Sequence, residues 1–229
     1  MINVVILSGA GISKESGIDT FRDAEGMWQK YDPRELASIN ALKTNPKNVL
    51  EFYNMRRNKL WNVDPNSAHL CLVDLEKKFN VTIITQNVDD LHERAGSSSV
   101  VHIHGELSKV RSSEDENYIV EVEVGKEVNL GDLAPDGTQL RPNVVLFGEP
   151  VPKMSEAIEI AKSADIFVVI GTSLQVYPAA ELIDYTSSSC ETYIIDPEVI
   201  SLQKKENRYF IQEKATIGLP KLVQKLLEI

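Results

Sequence analysis

The sequence predicts an α/β protein: a doubly wound parallel sheet of the Rossmann kind, carrying a small module of helices and a β-hairpin. Three observations predict it. Short continuous runs rich in Val and Ile recur along the chain, helical repeats lie between them, and two stretches break that rhythm. The 229 residues, 42% hydrophobic and 25% charged, suffice for one large domain with a substantial core.

Residues 4–8 form the first expected strand, running straight into Gly9. Residues 32–62 read as helical throughout. Asp32-Pro33-Arg34-Glu35 offers a capping residue, an N1 proline and a first-turn acid, and Asn45-Pro46 offers a second start. A helix over 67–78 repeats Leu70, Val73 and Leu75, and a strand over 81–85 follows it. Residues 99–103 are β-like. Residues 106–142 alternate, as in 118–124, and Gly125, Gly131 and Gly137 mark turns, which predicts a hairpin insertion. The remaining elements are a helix over 154–163 (Ile158, Ala161), strands over 166–171 and 192–195, and a closing helix over 219–227 with Leu222, Val223, Leu226 and Leu227. The expected division is a large part of 1–31, 63–105 and 143–229 and a small module of 32–62 and 106–142.

A net charge of −10 argues against a general binder of nucleic acid or anionic membranes, because phosphate contacts need clustered Lys and Arg. It favours basic partners, and equally a solvated acidic surface. Cys71 and Cys190 suggest neither a disulfide framework nor a metal site, which fits a reducing compartment. The apolar N-terminus lacks a basic leader, and no stretch approaches a membrane span, so the expectation is a cytoplasmic enzyme.

Five constellations carry chemistry. After the first strand, Gly9-Ala10-Gly11 and Ser13 can bring backbone N–H groups to a pyrophosphate at a helix start; a structural turn is the competing reading. Gln86, Asn87 and Asp89 follow the 81–85 strand, at a carboxyl end that faces the ligand crevice of such a sheet. Asn and Asp two apart can address a carboxamide, and either can equally cap the next helix. His102 and His104 share a face by alternation. A metal pair lacks a third ligand, whereas a lone imidazole suits proton transfer near neutral pH. Gly171, Thr172 and Ser173 suit phosphate or ribose contacts at a strand end, or a plain turn, and Asp196 can accept from a ribose hydroxyl. Lastly, Val49, Phe52, Tyr53, Arg56 and Leu60 fall on one helical stripe, placing Arg56 among apolar neighbours; snorkelling to solvent is the bland alternative.

These motifs resemble the sirtuins. Gly9-Ala-Gly-Ile-Ser-Lys-Glu-Ser-Gly-Ile18 through Phe21-Arg22 and Gly26-Met-Trp28 matches the family signature, with Asp19 in place of its proline. Thr85-Gln-Asn-Val-Asp-Asp-Leu-His92, His104-Gly105, Leu140-Arg-Pro-Asn-Val-Val-Leu-Phe-Gly-Glu149 and Gly171-Thr-Ser-Leu-Gln-Val176 follow in family order. The resemblance implies NAD as cofactor and a protein-lysine deacylase activity. It implies that Gly9, Ala10, Gly11, Ser13, Phe21, Arg22, Gln86, Asn87, Asp89, Gly171, Thr172, Ser173 and Asp196 contact NAD, Phe21 and Arg22 lying near the nicotinamide ribose. Asn87 and His104 would serve catalysis, His104 as general base on a ribose hydroxyl. Val144, Val145, Phe147 and Val176 would meet the peptide, and His92 and His102 would be structural. Nicotinamide would leave as the acyl oxygen attacks, giving free lysine and O-acyl-ADP-ribose.

Two departures from the family pattern matter. Most sirtuins bind a structural zinc through four cysteines, and the stretch from Val110 to Asp136 has none, so no zinc is expected. Tyr53-x-x-Arg56 and Ala24 resemble the subset that accepts succinyl, malonyl or glutaryl lysine, some of which also deacetylates, because Arg can bind a carboxylate through two N–H groups. ADP-ribosyl transfer or NAD hydrolysis, and a non-enzymatic NAD-sensing module, stand as alternatives. The substrate proteins and the oligomeric state are not legible.

Overall fold

A computed structural model describes residues 1–20, 32–200, 202, 203 and 205–228. Phe21, Arg22 and Ala24, and the Gly26 and Trp28 of the signature, lie outside the described residues.

Six parallel strands make the main sheet: β1 (Asn3–Ser8), β2 (Asn80–Thr85), β3 (Val100–His102), β7 (Ile166–Ile170), β8 (Glu191–Ile195) and β9 (Arg208–Ile211). Their order is β3-β2-β1-β7-β8-β9. The chain steps outward from β1 to β3, then returns to β7 on the other side of β1. That reversal is a topological switch point, and it opens a crevice beyond the carboxyl ends of β1 and β7. β9 escaped the sequence reading. It is an edge strand whose Tyr209 and Phe210 are exposed while Arg208 is buried, so it lacks the apolar run of a central strand.

Alternation divides the core. Val4 and Ile6 face the helices α4 (Ser67–Leu75) and α7 (Ala215–Glu228), packing with Leu72, Leu75, Leu219 and Leu226. Val5 and Leu7 face α6 (Met154–Lys162) and the 3-10 turn Ala179–Asp184. Within α4 the inward face is Ala68, Leu72 and Leu75. Leu70, read as part of that repeat, is 52% exposed. Helix α7 begins four residues earlier than its leucine pattern suggested, which puts Pro220 inside it. Proline denies an amide to the carbonyl four residues back, and the Ser67 hydroxyl donates to that Thr216 carbonyl instead (3.2 Å).

The stretch read as helical over 32–62 is three helices, α1 (Pro33–Leu36), α2 (Ile39–Thr44) and α3 (Pro46–Trp61). The Asp32 carboxylate caps the first by accepting from the Arg34 amide, and Ser38 caps the second by accepting from Ala41. Between the two, the chain is bridged to Phe147. The 106–142 excursion is a three-stranded antiparallel sheet, β4 (Gly105–Ser112), β5 (Ile119–Glu121) and β6 (Leu140–Val144), in the order β5-β4-β6. β5 is shorter than the alternating 118–124 pattern. Helix α5 (Leu91–Ala95) follows β2.

Candidate active site

Three strand ends meet at the switch point. After β1 the chain enters two 3-10 turns, Ala10–Ile12 and Lys14–Ser16, rather than the α-helix start expected for a pyrophosphate loop. The Gly9 and Gly11 amides donate to the Ile170 and Gly171 carbonyls (3.0 and 2.8 Å), so a ligand would not use those two N–H groups. The glycines serve close packing. A Cβ at Gly11 would lie 2.6 Å from the Gly171 Cα, and one at Gly9 would lie 2.6 Å from the Thr172 Cβ. Gly171 also sits at φ +63°, where a side chain is strained.

β2 delivers the turn Gln86–Asp89 against this floor, and most of the turn's polar groups are held. Gln86 donates through Nε2 to Thr172 Oγ1 (3.1 Å). Asn87 Nδ2 donates to the Gly9 carbonyl and to Ser13 Oγ, both at 3.2 Å. Ser13 Oγ in turn donates to Asp89 Oδ2 (2.9 Å), and Asp89 Oδ1 accepts from the Leu91 amide at the start of α5 (3.2 Å). The N-cap of α5 is Asp90, so neither Asn87 nor Asp89 caps the helix as such. Asp89 holds the first helical amide from one position earlier, and the same carboxylate reaches into the cluster. Burial raises its pKa, opposed by those two donors.

Three successive carbonyls of the turn each receive one donor. His104 Nδ1 meets the Gln86 oxygen and His102 Nδ1 meets the Asn87 oxygen, both at 3.0 Å, while the Leu107 amide donates to Val88 (2.7 Å). The Gln86 contact places the His104 proton on Nδ1 and leaves Nε2 as the basic nitrogen. Burial lowers the His104 pKa, partly offset by the Gln86 carbonyl, so the ring is neutral at pH 7.

Behind this layer lie histidines that sequence reasoning passed over or left as structural. His69 Nδ1 accepts from the Asn66 amide (3.3 Å), so its Nε2 carries the proton facing Ser13 Oγ (3.4 Å); burial pulls its pKa to about 4. His92 Nε2 meets Ser8 Oγ (2.9 Å) and its ring stands edge-on to His69. Asn66 was findable as a capping residue ahead of the 67–78 pattern. His69 gave no signal, because its partners are distant in sequence.

The acyl-pocket candidates come from α3. Tyr53 is buried, and the Arg56 guanidinium lies 5.6 Å from its ring centroid and 5.7 Å from that of Phe52. Arg56 is partly exposed, and its pKa is lowered by burial and pushed back up by Tyr53 and by Asp89. Of the peptide-facing candidates, Val144 is buried and pairs with Gly105, and the Val145 amide donates to the His104 carbonyl (2.9 Å). Phe147 donates to Ala37 and accepts from Ile39, so its backbone is already paired within the chain and a peptide strand cannot add there. Its side chain, like that of Val176, is exposed. Ser173 is half-buried beside Thr172. Asp196 follows the end of β8 and helps line a cleft of about 210 Å³ with Ile194, Ile200, Leu202 and Phe210, and it accepts from the Glu198 amide (2.8 Å).

The donor set suits a dinucleotide: amide, carboxylate and imidazole groups converge beside a glycine floor. The 110–136 stretch does not suit a zinc ion. Ser112 Oγ there is engaged by Asp136 Oδ2 (2.5 Å) and Thr138 Oγ1 (2.8 Å), a hydroxyl and carboxylate arrangement without thiolates. Among the described residues no three His, Cys, Asp or Glu side chains are grouped to hold a metal. Among the same residues no helix is long and apolar enough to cross a membrane.

Comparison with known proteins agrees with this geometry. The Sir2 family profile matches residues 9–178. A Helicobacter pylori protein named NAD-dependent protein deacylase is 53% identical over all of this chain and 99% of its own length. A Bacteroides thetaiotaomicron protein of the same name is 50% identical over 99% of each. Among solved structures, a Sir2 homologue in complex with NAD superposes with a TM-score of 0.89 at 38% identity, covering 99% of this chain and 90% of that one. The chain belongs to the Sir2 family.

Proposed function

We propose that the chain is an NAD-dependent protein-lysine deacylase that favours succinyl, malonyl and other acidic acyl groups, releasing nicotinamide and O-acyl-ADP-ribose. One observation carries the reading: Ser13, Asn87, Asp89 and a neutral His104 converge at the switch point, in a family whose relatives bear that name. Ala10, Ser13, Gln86, Asn87, Asp89, Gly171, Thr172, Ser173 and Asp196 would hold NAD, together with Phe21 and Arg22. Gly9 and Gly11 would take part through the bare surface of their backbone rather than their amides, which are already paired. When bound, NAD supplies the electrophilic ribose carbon and the hydroxyls that receive the acyl group. The protein orients and excludes water, and His104 Nε2 takes a proton. Val144, Val145, Phe147 and Val176 flank the peptide, with any strand pairing falling to groups other than the Phe147 backbone.

Arg56 and Tyr53 would bind the acyl carboxylate, with Ala24 leaving room for it. The partner is an acyl-lysine protein segment, and the net charge of −10 favours a basic one. Residues 32–62 and 106–142 would act as a small module on the larger NAD-binding part, in the cytoplasm. The test compares succinyl- and acetyl-lysine peptides. Arg56→Met should lower kcat/KM for the succinyl peptide about 10- to 100-fold, the worth of a charged hydrogen bond, and change acetyl turnover far less. An equal loss on both peptides overturns the acyl assignment. His104→Ala should abolish turnover while NAD still binds.

A further inference from the structure

His102 has not been needed for the chemistry so far, yet it touches the catalytic turn directly. Its ring is buried, with Nδ1 3.0 Å from the Asn87 carbonyl and Nε2 2.7 Å from Glu93 Oε1. A carbonyl and a carboxylate only accept hydrogen bonds. Both ring nitrogens must therefore carry protons to satisfy both neighbours, which makes the ring an imidazolium. The geometry points to a His102–Glu93 ion pair that positions the Asn87 turn for catalysis and releases it when His102 loses its proton. The inference rests on the deacylase reading of the site.

The charges around the ring support that state. Burial works against the imidazolium, but the Glu93 hydrogen bond and charge, the Asn87 carbonyl and Glu106 outweigh it, and the His102 pKa is raised. Burial would raise Glu93 too; the His102 contact and Lys109 overcome that and hold it below the usual glutamate range. Glu106 is itself paired with Lys109 (2.7 Å), and Asp89 and His92 also feel the His102 charge.

The sign follows from these shifts. A raised histidine pKa means the pair is intact at lower pH and is lost as pH rises through the folded value. Once His102 is neutral, its remaining proton is drawn to the carboxylate on Nε2. Nδ1 then faces the Asn87 oxygen lone pair to lone pair, and the turn carrying Gln86, Asn87 and Asp89 loses its donor. The lost proton goes to solvent. The activity profile is thus bounded by two imidazoles: His104 must be neutral, and His102 must be charged.

Glu93→Gln separates charge from contact. An amide can turn to donate to Nε2, which keeps the Nδ1 proton on the Asn87 carbonyl at every pH. In the pH profile of kcat/KM, the alkaline fall should move up by about one pH unit or vanish, with only a modest loss at neutral pH. His102→Ala, checked for folding by its melting curve, should lower kcat about tenfold, the worth of the lost donor, with little change in KM. An alkaline limb unmoved in Glu93→Gln overturns the inference even if His102→Ala fails to fold. His104→Ala tells the two failures apart. If that variant is inactive while Glu93→Gln keeps the original limb, only the positioning role falls; if it retains turnover, the site reading falls with it.

Discussion

The two sheets of this molecule are held by different means. In the large sheet β1 and β7 are buried nearly throughout, and both faces are covered by apolar side chains from α4, α6 and α7. The small sheet is covered on a smaller scale: Leu50, Val110 and Val128 pack together with Val120, Val122 and Leu140 partly covered, and Leu107 and Val144 pack with Phe52, Tyr53 and Leu60 of α3. Polar atoms add much of its cohesion. Ser112 Oγ binds Asp136 and Thr138 and accepts from the Glu114 and Asp115 amides. Gln139 Nε2 reaches the Asn129 and Asp132 carbonyls, and its Oε1 accepts from the Gly131 amide. Arg141 grips Glu149 through both terminal nitrogens. The large sheet depends on area removed from water, whereas the small sheet supplements two smaller apolar clusters with paired polar atoms.

Mutations can break that contrast. Phe167, fully buried in β7, should be the most costly site: Phe167→Ala should destabilise the whole protein by about 4 kcal/mol in a denaturant melt. Glu149→Gln leaves the Arg141 charge buried without its partner and should cost about 3 kcal/mol. Burial alone would raise the Glu149 carboxyl, but Arg141, the Leu146 amide and Arg111 hold it below the usual range. Its contribution is therefore present above the ordinary glutamate pKa and is lost as pH falls through the folded value. Hydrogen exchange of the wild type should show β6 opening in acid before the large sheet does. Ser112→Ala should have the smallest effect, about 1 kcal/mol, seen as faster exchange of the Glu114 and Asp115 amides while global melting barely moves. If Ser112→Ala cost as much as Phe167→Ala, the small sheet would be part of the main cooperative unit and the contrast would fail.

The same difference explains what could be read from the sequence. Continuous Val and Ile runs reveal β1, β2, β7 and β8, because burial on both faces writes itself into composition. The small sheet writes only a weak alternation, so 118–124 overstated β5 and the span of β4 went unread. The break at Ser38 was hidden because the flanking residues favour helix, and a bridge to Phe147, over a hundred residues on, decides it. In the site, motif residues at strand ends were legible. Glu93 was not, because nothing local links it to His102; only the fold brings α5 against β3.

The contact of Gly9 and Gly11 with Gly171 and Thr172 has a practical corollary for redesign. At Gly11 and Gly171 backbone lies on backbone, and at Gly9 the nearest neighbour is the Thr172 Cβ, so trimming side chains does little to widen the base of the cleft. Selectivity for a different acyl group or nucleotide must be sought in the walls, on the 86–89 turn and α3. A library built on the base would mostly return misfolded chains.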